Sequence, residues 1–226
     1  MKFIYVKNVL KSMNEIKGIV YDLDGTIIMT QALHNDAWIF AANKLNINLS
    51  KEMLFNQRGV SNEAAALMML SSDKKHLSSQ LIFEKINYVN EHADHITLFE
   101  GIEEVLSQLH KEGYKIYIFT SAGKDFTEKV LSNFNGFKEI NIIWREMYAN
   151  EKSSPDGLYL TMRKMGLKNS DICYIGDALS DYETSSNAGV RFIYFAPNLD
   201  NRDSRIPESV PIISFHKDLF KLLPSF

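Results

Sequence analysis

The sequence predicts an α/β fold, a Rossmann-like doubly wound parallel sheet with an inserted all-helical domain. Three observations predict it. Five short runs, residues 18–21, 116–119, 140–143, 172–175 and 192–195, are β-branched and aromatic with little polar alternation. Continuous apolar strands suit a parallel sheet covered on both faces. Helical patterns separate most of these runs, as in βαβ units. One block, from about Gln31 to Glu91, holds helices and no convincing strand.

Taken in order, Gly18-Ile-Val-Tyr21 is the first strand, and Asp22-Leu-Asp-Gly-Thr26 comes directly after it. The helical block then reads as three helices. Residues 34–45 carry Trp38, Ala41, Ala42 and Leu45; residues 62–70 are rich in Ala, Leu and Met; residues 78–91 carry Leu81, Ile82, Ile86 and Val89. Ala, Leu and Met favour helix. Trp38 and the Met68-Met69 pair are expected in this block's own core. The block is bounded at residues 31–94, with linkers near 29–32 and 92–98, and residues 1–30 and 95–226 form the α/β core. Beyond it, Ile102, Val105, Leu106 and Leu109 recur at helical spacing and stop at Gly113. Helices over 158–165 and 181–188 end at Gly166 and Gly189. Residues 197–207 are loop, Val210-Pro-Ile-Ile-Ser is a last strand, and 216–223 is a closing helix.

Composition narrows the function. With 28 acidic and 25 basic side chains in 226 residues the net charge is −3, and 45% of residues are hydrophobic. Disorder, a collagen-like fibre and a charge-driven nucleic-acid binder are excluded. Cys173 is the single cysteine, so no intramolecular disulfide forms, and a reducing compartment is the simple reading. It is expected to be a small buried hydrophobe. The apolar stretch near the N-terminus is broken by Lys7 and Lys11, too short for a signal peptide, and no stretch is long enough for a membrane span. A soluble cytoplasmic protein with a small-molecule partner, no membrane and no nucleic acid is expected; the sequence leaves oligomeric state open.

Each of the first four strands ends on, or is soon followed by, residues that handle phosphate or metal. These are Asp22 and Asp24 with Gly25 and Thr26, then Thr120-Ser121, then Lys152 after a loop, then Gly176-Asp177 with Asp181 one turn later. In open α/β sheets ligands bind beyond the carboxyl ends of the strands, so these groups converge on one crevice. Three carboxylates there repel one another unless a cation sits among them, and oxygen-only ligands suit Mg²⁺. A hard cation, a lysine and a hydroxyl match the charge on a transferring phosphoryl group. A carboxylate beside the metal can attack phosphorus, and a second one two residues on, on the same side of an extended chain, can serve as acid and then base. Gly25 allows close backbone approach, and Thr26 can cap the next turn of the chain. Lys124 is the nearest rival to Lys152, and Asp181 read blandly is a helix dipole partner.

These four segments, in this order, resemble the signature motifs of the haloacid dehalogenase (HAD) superfamily, and the resemblance spans roughly residues 17–189. It implies Asp22 as nucleophile and metal ligand, and Asp24 as acid/base with its main-chain carbonyl on the metal. Thr120, with the N–H groups of Ser121 and Ala122, would bind phosphate. Lys152 would neutralise Asp22 and the phosphoryl oxygens, Asp177 would bind metal, and Asp181 would help hold it. The helical block resembles a cap that closes over the site and selects substrate. Within it, His34 and Arg58 look similar to substrate-binding positions of β-phosphoglucomutase-like members, whereas Gly176-Asp177-xxx-Asp181 looks more like phosphoglycolate phosphatases. The chain departs from the pattern at Met29-Thr30, where relatives often carry Asp-Ser, and at Lys152-Ser-Ser-Pro155, where they often carry Lys-Pro-x-Pro. The expected activity is that of a Mg²⁺-dependent phosphatase acting on a small phosphorylated metabolite through an aspartyl-phosphate. A β-phosphoglucomutase-like mutase and a non-catalytic phospho-accepting or ligand-binding relative are the alternatives.

Overall fold

Strand β1 (Gly18–Tyr21) is buried at every residue and lies inside a six-stranded sheet in which every neighbouring pair runs parallel. The structure, a computed structural model, describes residues 16–57, 59–199 and 202–223. With β2 (Lys115–Phe119), β3 (Asn141–Ile143), β4 (Ile172–Gly176), β5 (Arg191–Phe195) and β6 (Ile212–Ile213), the spatial order is β3-β2-β1-β4-β5-β6. The chain therefore changes direction across β1 and β4, the switch point beyond which ligands bind in such sheets. Tyr21 is in register with Ile118 of β2 and Ile175 of β4, so the residues after these strands emerge at one edge.

Side chains alternate across the strands and build two cores. Ile19, Tyr21, Ile118, Cys173, Ile175, Ile193 and Phe195 pack on one face, with α5 (Ile102–Lys111) and α6 (Lys124–Leu131). Val20, Phe119, Ile143, Tyr174, Phe192 and Tyr194 pack on the other, with α7 (Asp156–Met165) and α8 (Leu179–Ala188). The doubly wound expectation holds, and Cys173 is buried and free as expected.

Between β1 and β2 lie α1 (Gln31–Lys44), α2 (Lys51–Asn56), α3 (Asn62–Met69) and α4 (Ser78–His92). They enclose a third core of Trp38, Ala41, Ala42, Ile47, Ala65, Ala66, Met69, Leu70 and Leu81. The connections into and out of this insertion pair with each other, through an antiparallel bridge between Ile28 and Leu98 and a 2.8 Å bond from Met29 N–H to the Thr97 carbonyl.

Four local expectations need correction. Met68 is 50% exposed, because the buried stripe of α3 runs through Ala65, Ala66 and Met69 and leaves position 68 outside it. Residues 31–32 begin α1 and are not linker. The closing helix is a six-residue 3₁₀ segment, His216–Lys221; Pro224 disfavours an α conformation at Leu223. Helices α2 and α6 went unread. The first has only six residues, held at its start by the Ser50 side chain accepting from Met53 N–H, and the second offers a sparse apolar stripe.

Helix α7 packs closely on β2. A Cβ on Gly157 would run into the buried ring of Phe119. That ring is hemmed by Tyr148 and Tyr174, at centroid separations of 5.2 and 5.7 Å. Alanine gains about 1 kcal/mol in helix propensity over glycine, but overpacking a rigid core costs about 1–3 kcal/mol. Gly157→Ala should therefore destabilise the protein by up to about 2 kcal/mol, read as a lower urea midpoint; a higher midpoint would show that the ring yields.

Candidate active site

Asp22 directly follows β1, and its N–H continues the sheet to the Ile175 carbonyl at 2.8 Å. The carboxylate is buried and forms a short ion pair with Lys152 Nζ. Lys152 also donates to Asp181 Oδ1 at 2.8 Å. Its ammonium faces the rings of Phe119 and Tyr174, with 4.9 and 5.6 Å to the centroids. The loop carrying it is tied to α8: Ser153 Oγ donates to Glu183 at 2.5 Å, and Asn187 donates to the Ser153 carbonyl at 2.8 Å. Lys124, the rival lysine, lies on α6 with an exposed side chain, 3.7 Å from Glu128.

Asp181 is buried at the start of α8 and has two polar roles. Its Oδ2 accepts from Ala178 N–H at 3.1 Å and caps α8, while its Oδ1 takes Lys152 and, at 2.7 Å, the hydroxyl of Tyr174. Asp177 accepts from Thr26 Oγ1 at 3.1 Å. Thr26 therefore orients a carboxylate, and its expected capping role is not observed. Gly25 adopts φ +79°, and a Cβ there would press on the Asp177 carboxylate. That backbone conformation and that close approach both require glycine.

The carboxylates of Asp22, Asp177 and Asp181 lie within 4.8 Å of one another. Burial pushes the Asp22 carboxyl well above the usual carboxylate range; Lys152 opposes this, and Asp181 and Asp177 reinforce it. Burial would depress the Lys152 ammonium, yet Asp181 and Asp22 outweigh it and hold it well above the usual lysine range. One ammonium among three carboxylates leaves surplus negative charge, and every donor is an oxygen. Such a set fits a hard divalent cation.

Asp24 points differently. Its Oδ1 accepts from Thr30 Oγ1 at 2.8 Å and lies 3.2 Å from His34 Nε2. Although burial works the other way, His34 and Thr30 hold this carboxyl below its usual range. His34, on α1, is pulled below the usual histidine range by burial and by Lys85, against the opposing pull of Asp24. Thr30 thus has a definite partner in Asp24.

Thr120 is buried at the end of β2; its Oγ1 accepts from Ala122 N–H at 2.9 Å, and its carbonyl accepts from the Tyr148 hydroxyl at 3.0 Å. Thr120, Ser121 and Ala122 line the same cavity as Asp22, Asp24, Gly25, Lys152 and Asp177, a space of about 440 Å³. His34, Trp38, Gln57 and Lys85 close it from the insertion side. A 2.6 Å bond from Ser180 Oγ to the Gly59 carbonyl fastens the insertion to the start of α8. Arg58 lies outside the described residues.

Sequence reasoning missed Tyr174, Tyr148, Thr30 as a partner of Asp24, and Lys85. Only Lys85 had a readable signal, a lysine at the apolar spacing of Leu81 and Val89 on α4, where it is buried with them.

Comparison with known proteins then decides the family. The family model described as haloacid dehalogenase-like hydrolase matches residues 19–195. The chain belongs to the haloacid dehalogenase-like hydrolase family. A pyrophosphatase PpaX of Halalkalibacterium halodurans is 26% identical over 186 residues, covering 78% of this chain and 82% of the relative. A phosphoglycolate phosphatase of Vibrio parahaemolyticus is 22% identical over 191 residues, covering 79% and 82%. Among solved structures, a β-phosphoglucomutase from Clostridium difficile superposes with a TM-score of 0.73 at 21% identity, covering 90% of this chain and 93% of that one. That likeness shows the HAD fold shared by hydrolases and mutases. No helix among the described residues is long and apolar enough to cross a membrane.

Proposed function

We propose that this HAD hydrolase is a phosphatase of a small phosphorylated metabolite, working through an aspartyl-phosphate on Asp22. The observation that carries the reading is the junction of Asp22, Lys152, Asp181 and Asp177 beyond β1 and β4, with Asp24 and Thr120 on the same cavity. The names of the relatives, a pyrophosphatase and a phosphoglycolate phosphatase, support the phosphoryl chemistry. We take residues 31–94 as a cap over a core of 1–30 and 95–226; the separate insertion core and the paired connections support that division.

Asp22 attacks phosphorus, and the bond from phosphorus to the ester oxygen breaks. The leaving alkoxide takes a proton from Asp24. Water then attacks the aspartyl-phosphate, Asp24 recovers a proton from it, and the bond between phosphorus and Asp22 breaks to release phosphate. Asp24 is held ionised by His34 and Thr30 in the free enzyme, and entry of an anionic phosphoryl group beside it favours the protonated form. Lys152 neutralises charge on Asp22 and on the phosphoryl oxygens. Thr120 and the Ser121 N–H orient those oxygens, and Ala122 N–H joins them on leaving Thr120 Oγ1. Mg²⁺, held by Asp22, Asp177 and the Asp24 carbonyl with Asp181 behind them, would supply charge neutralisation at the transferring group. The cap excludes bulk water.

Chelation with EDTA should abolish phosphate release, and Mg²⁺ should restore it. Mg²⁺ should also raise Tm in the wild type and much less in Asp177→Asn, because an ion that binds only the folded state stabilises it. Turnover that survives thorough chelation, or an equal Tm rise in the variant, would remove the cation from this site. Release of phosphate from a sugar monophosphate, without isomerisation, separates the phosphatase from the mutase.

A further inference from the structure

The cap side of the cavity carries a charge that phosphoryl transfer leaves unused. Lys85 of α4 lines the same cavity as Asp22 and Lys152, yet it is only 6% exposed. Its Nζ donates to Asn62 Oδ1 at 2.8 Å and lies 5.5 Å from the centroid of the Trp38 ring. It forms no ion pair among the described residues. An ammonium offers three donors, so two stand available. Burial pulls this group down to about 8, against the longer-range pull of Asp24 and Glu63. Enclosed lysines are normally paired, because an unpaired buried cation costs stability. An apolar residue would fill this position more cheaply within an insertion core built of Trp38, Ala66 and Leu81. A cation held at a cavity wall without a carboxylate of its own is built for an anion brought by the ligand. Lys152 is already committed to Asp22 and Asp181, at the end where the phosphoryl group reacts.

We infer that Lys85 binds a second anionic group of the substrate, so that the enzyme selects small phosphate monoesters carrying a further carboxylate or phosphate. This rests on the reading of Asp22 as the site of phosphoryl transfer. The cavity size fits the class, since small-molecule sites run to roughly 300–1,000 Å³.

The test uses the full-length enzyme and four two-carbon phosphate monoesters, whose far ends are a carboxylate (phosphoglycolate), a second phosphate, a hydroxyl (2-hydroxyethyl phosphate) and an ammonium (phosphoethanolamine). p-Nitrophenyl phosphate is the common reference. In the wild type, kcat/KM for the carboxylate or the bisphosphate ester should exceed that for the hydroxyl ester about tenfold or more, with the ammonium ester lowest. That factor is the usual worth of a charge-assisted hydrogen bond. Whichever of the two anionic esters leads identifies the second group. In Lys85→Met the anionic-to-hydroxyl ratio should fall to about 1, chiefly through KM, and Lys85→Arg should keep part of it. A ratio unchanged in Lys85→Met, or a wild type that prefers the ammonium ester, overturns the inference while p-nitrophenyl phosphate turnover leaves the phosphatase reading standing. If Lys85→Met fails to fold, the wild-type series and Lys85→Gln decide by the same ratio. No phosphate release from any ester overturns both readings.

Discussion

Asp22→Asn should lower phosphatase kcat by roughly 10⁴-fold or more, the scale seen when a covalent nucleophile is removed, while the fold survives. Asparagine has the shape of aspartate, and Lys152 keeps Asp181 as a partner at 2.8 Å. The stability consequence has a definite sign. Burial raises the Asp22 carboxyl in the folded protein. A raised acid stabilises the fold below its unfolded value and loses that contribution as pH rises through the folded value. Near neutral pH without divalent ions, ionised Asp22 therefore works against the fold, and Asp22→Asn should melt at or above the wild-type Tm in EDTA. Near-normal turnover would refute the nucleophile. A clearly lower Tm in EDTA would show that Asp22 holds the site together, with no surplus of charge there.

Lys152→Met should have the second-largest effect and should act on stability and activity together. The ammonium is the partner of two buried carboxylates and is itself only 2% exposed at the side chain. Removing one partner of a buried ion pair costs about 3–5 kcal/mol, since the remaining charges lose their compensation. Urea unfolding in EDTA should show a loss of that order, and added Mg²⁺ should recover part of it. Turnover should fall roughly 10³-fold, comparable to losing a preorganised electrostatic contact in an enclosed site. Lys152→Arg should not rescue either property, because the planar fork is larger than the ammonium packed over Phe119 and Tyr174. Full activity in the arginine variant would reduce Lys152 to a generic positive charge.

The parts of the site that were legible from the chain alone are those fixed by strand ends. Buried parallel strands read as unbroken apolar runs, so Asp22, Thr120 and Asp177 could be placed at one edge from sequence. Lys152 was reachable only through motif order, because its loop is set by long-range ties to Glu183 and Asn187. Tyr174 reads as one more aromatic in a buried strand; its hydroxyl becomes polar support for Asp181 only once β4 and α8 are docked. Thr26 shows the limit from the other side. Its backbone context suggested a cap, whereas its hydroxyl crosses to a carboxylate 151 residues away. Lys85 needed the packing of α3 against α4 to reveal that a lysine faces a cavity.

The most direct measurement is to stop a single turnover with acid within milliseconds, reduce the protein with borohydride and read the peptide containing residue 22 by mass spectrometry. An acyl phosphate on Asp22 is reduced to homoserine, so the expected result is that conversion at position 22, present with Mg²⁺ and substrate and absent in EDTA. Full substrate turnover with residue 22 unchanged, or the modification appearing on another carboxylate, would contradict the account.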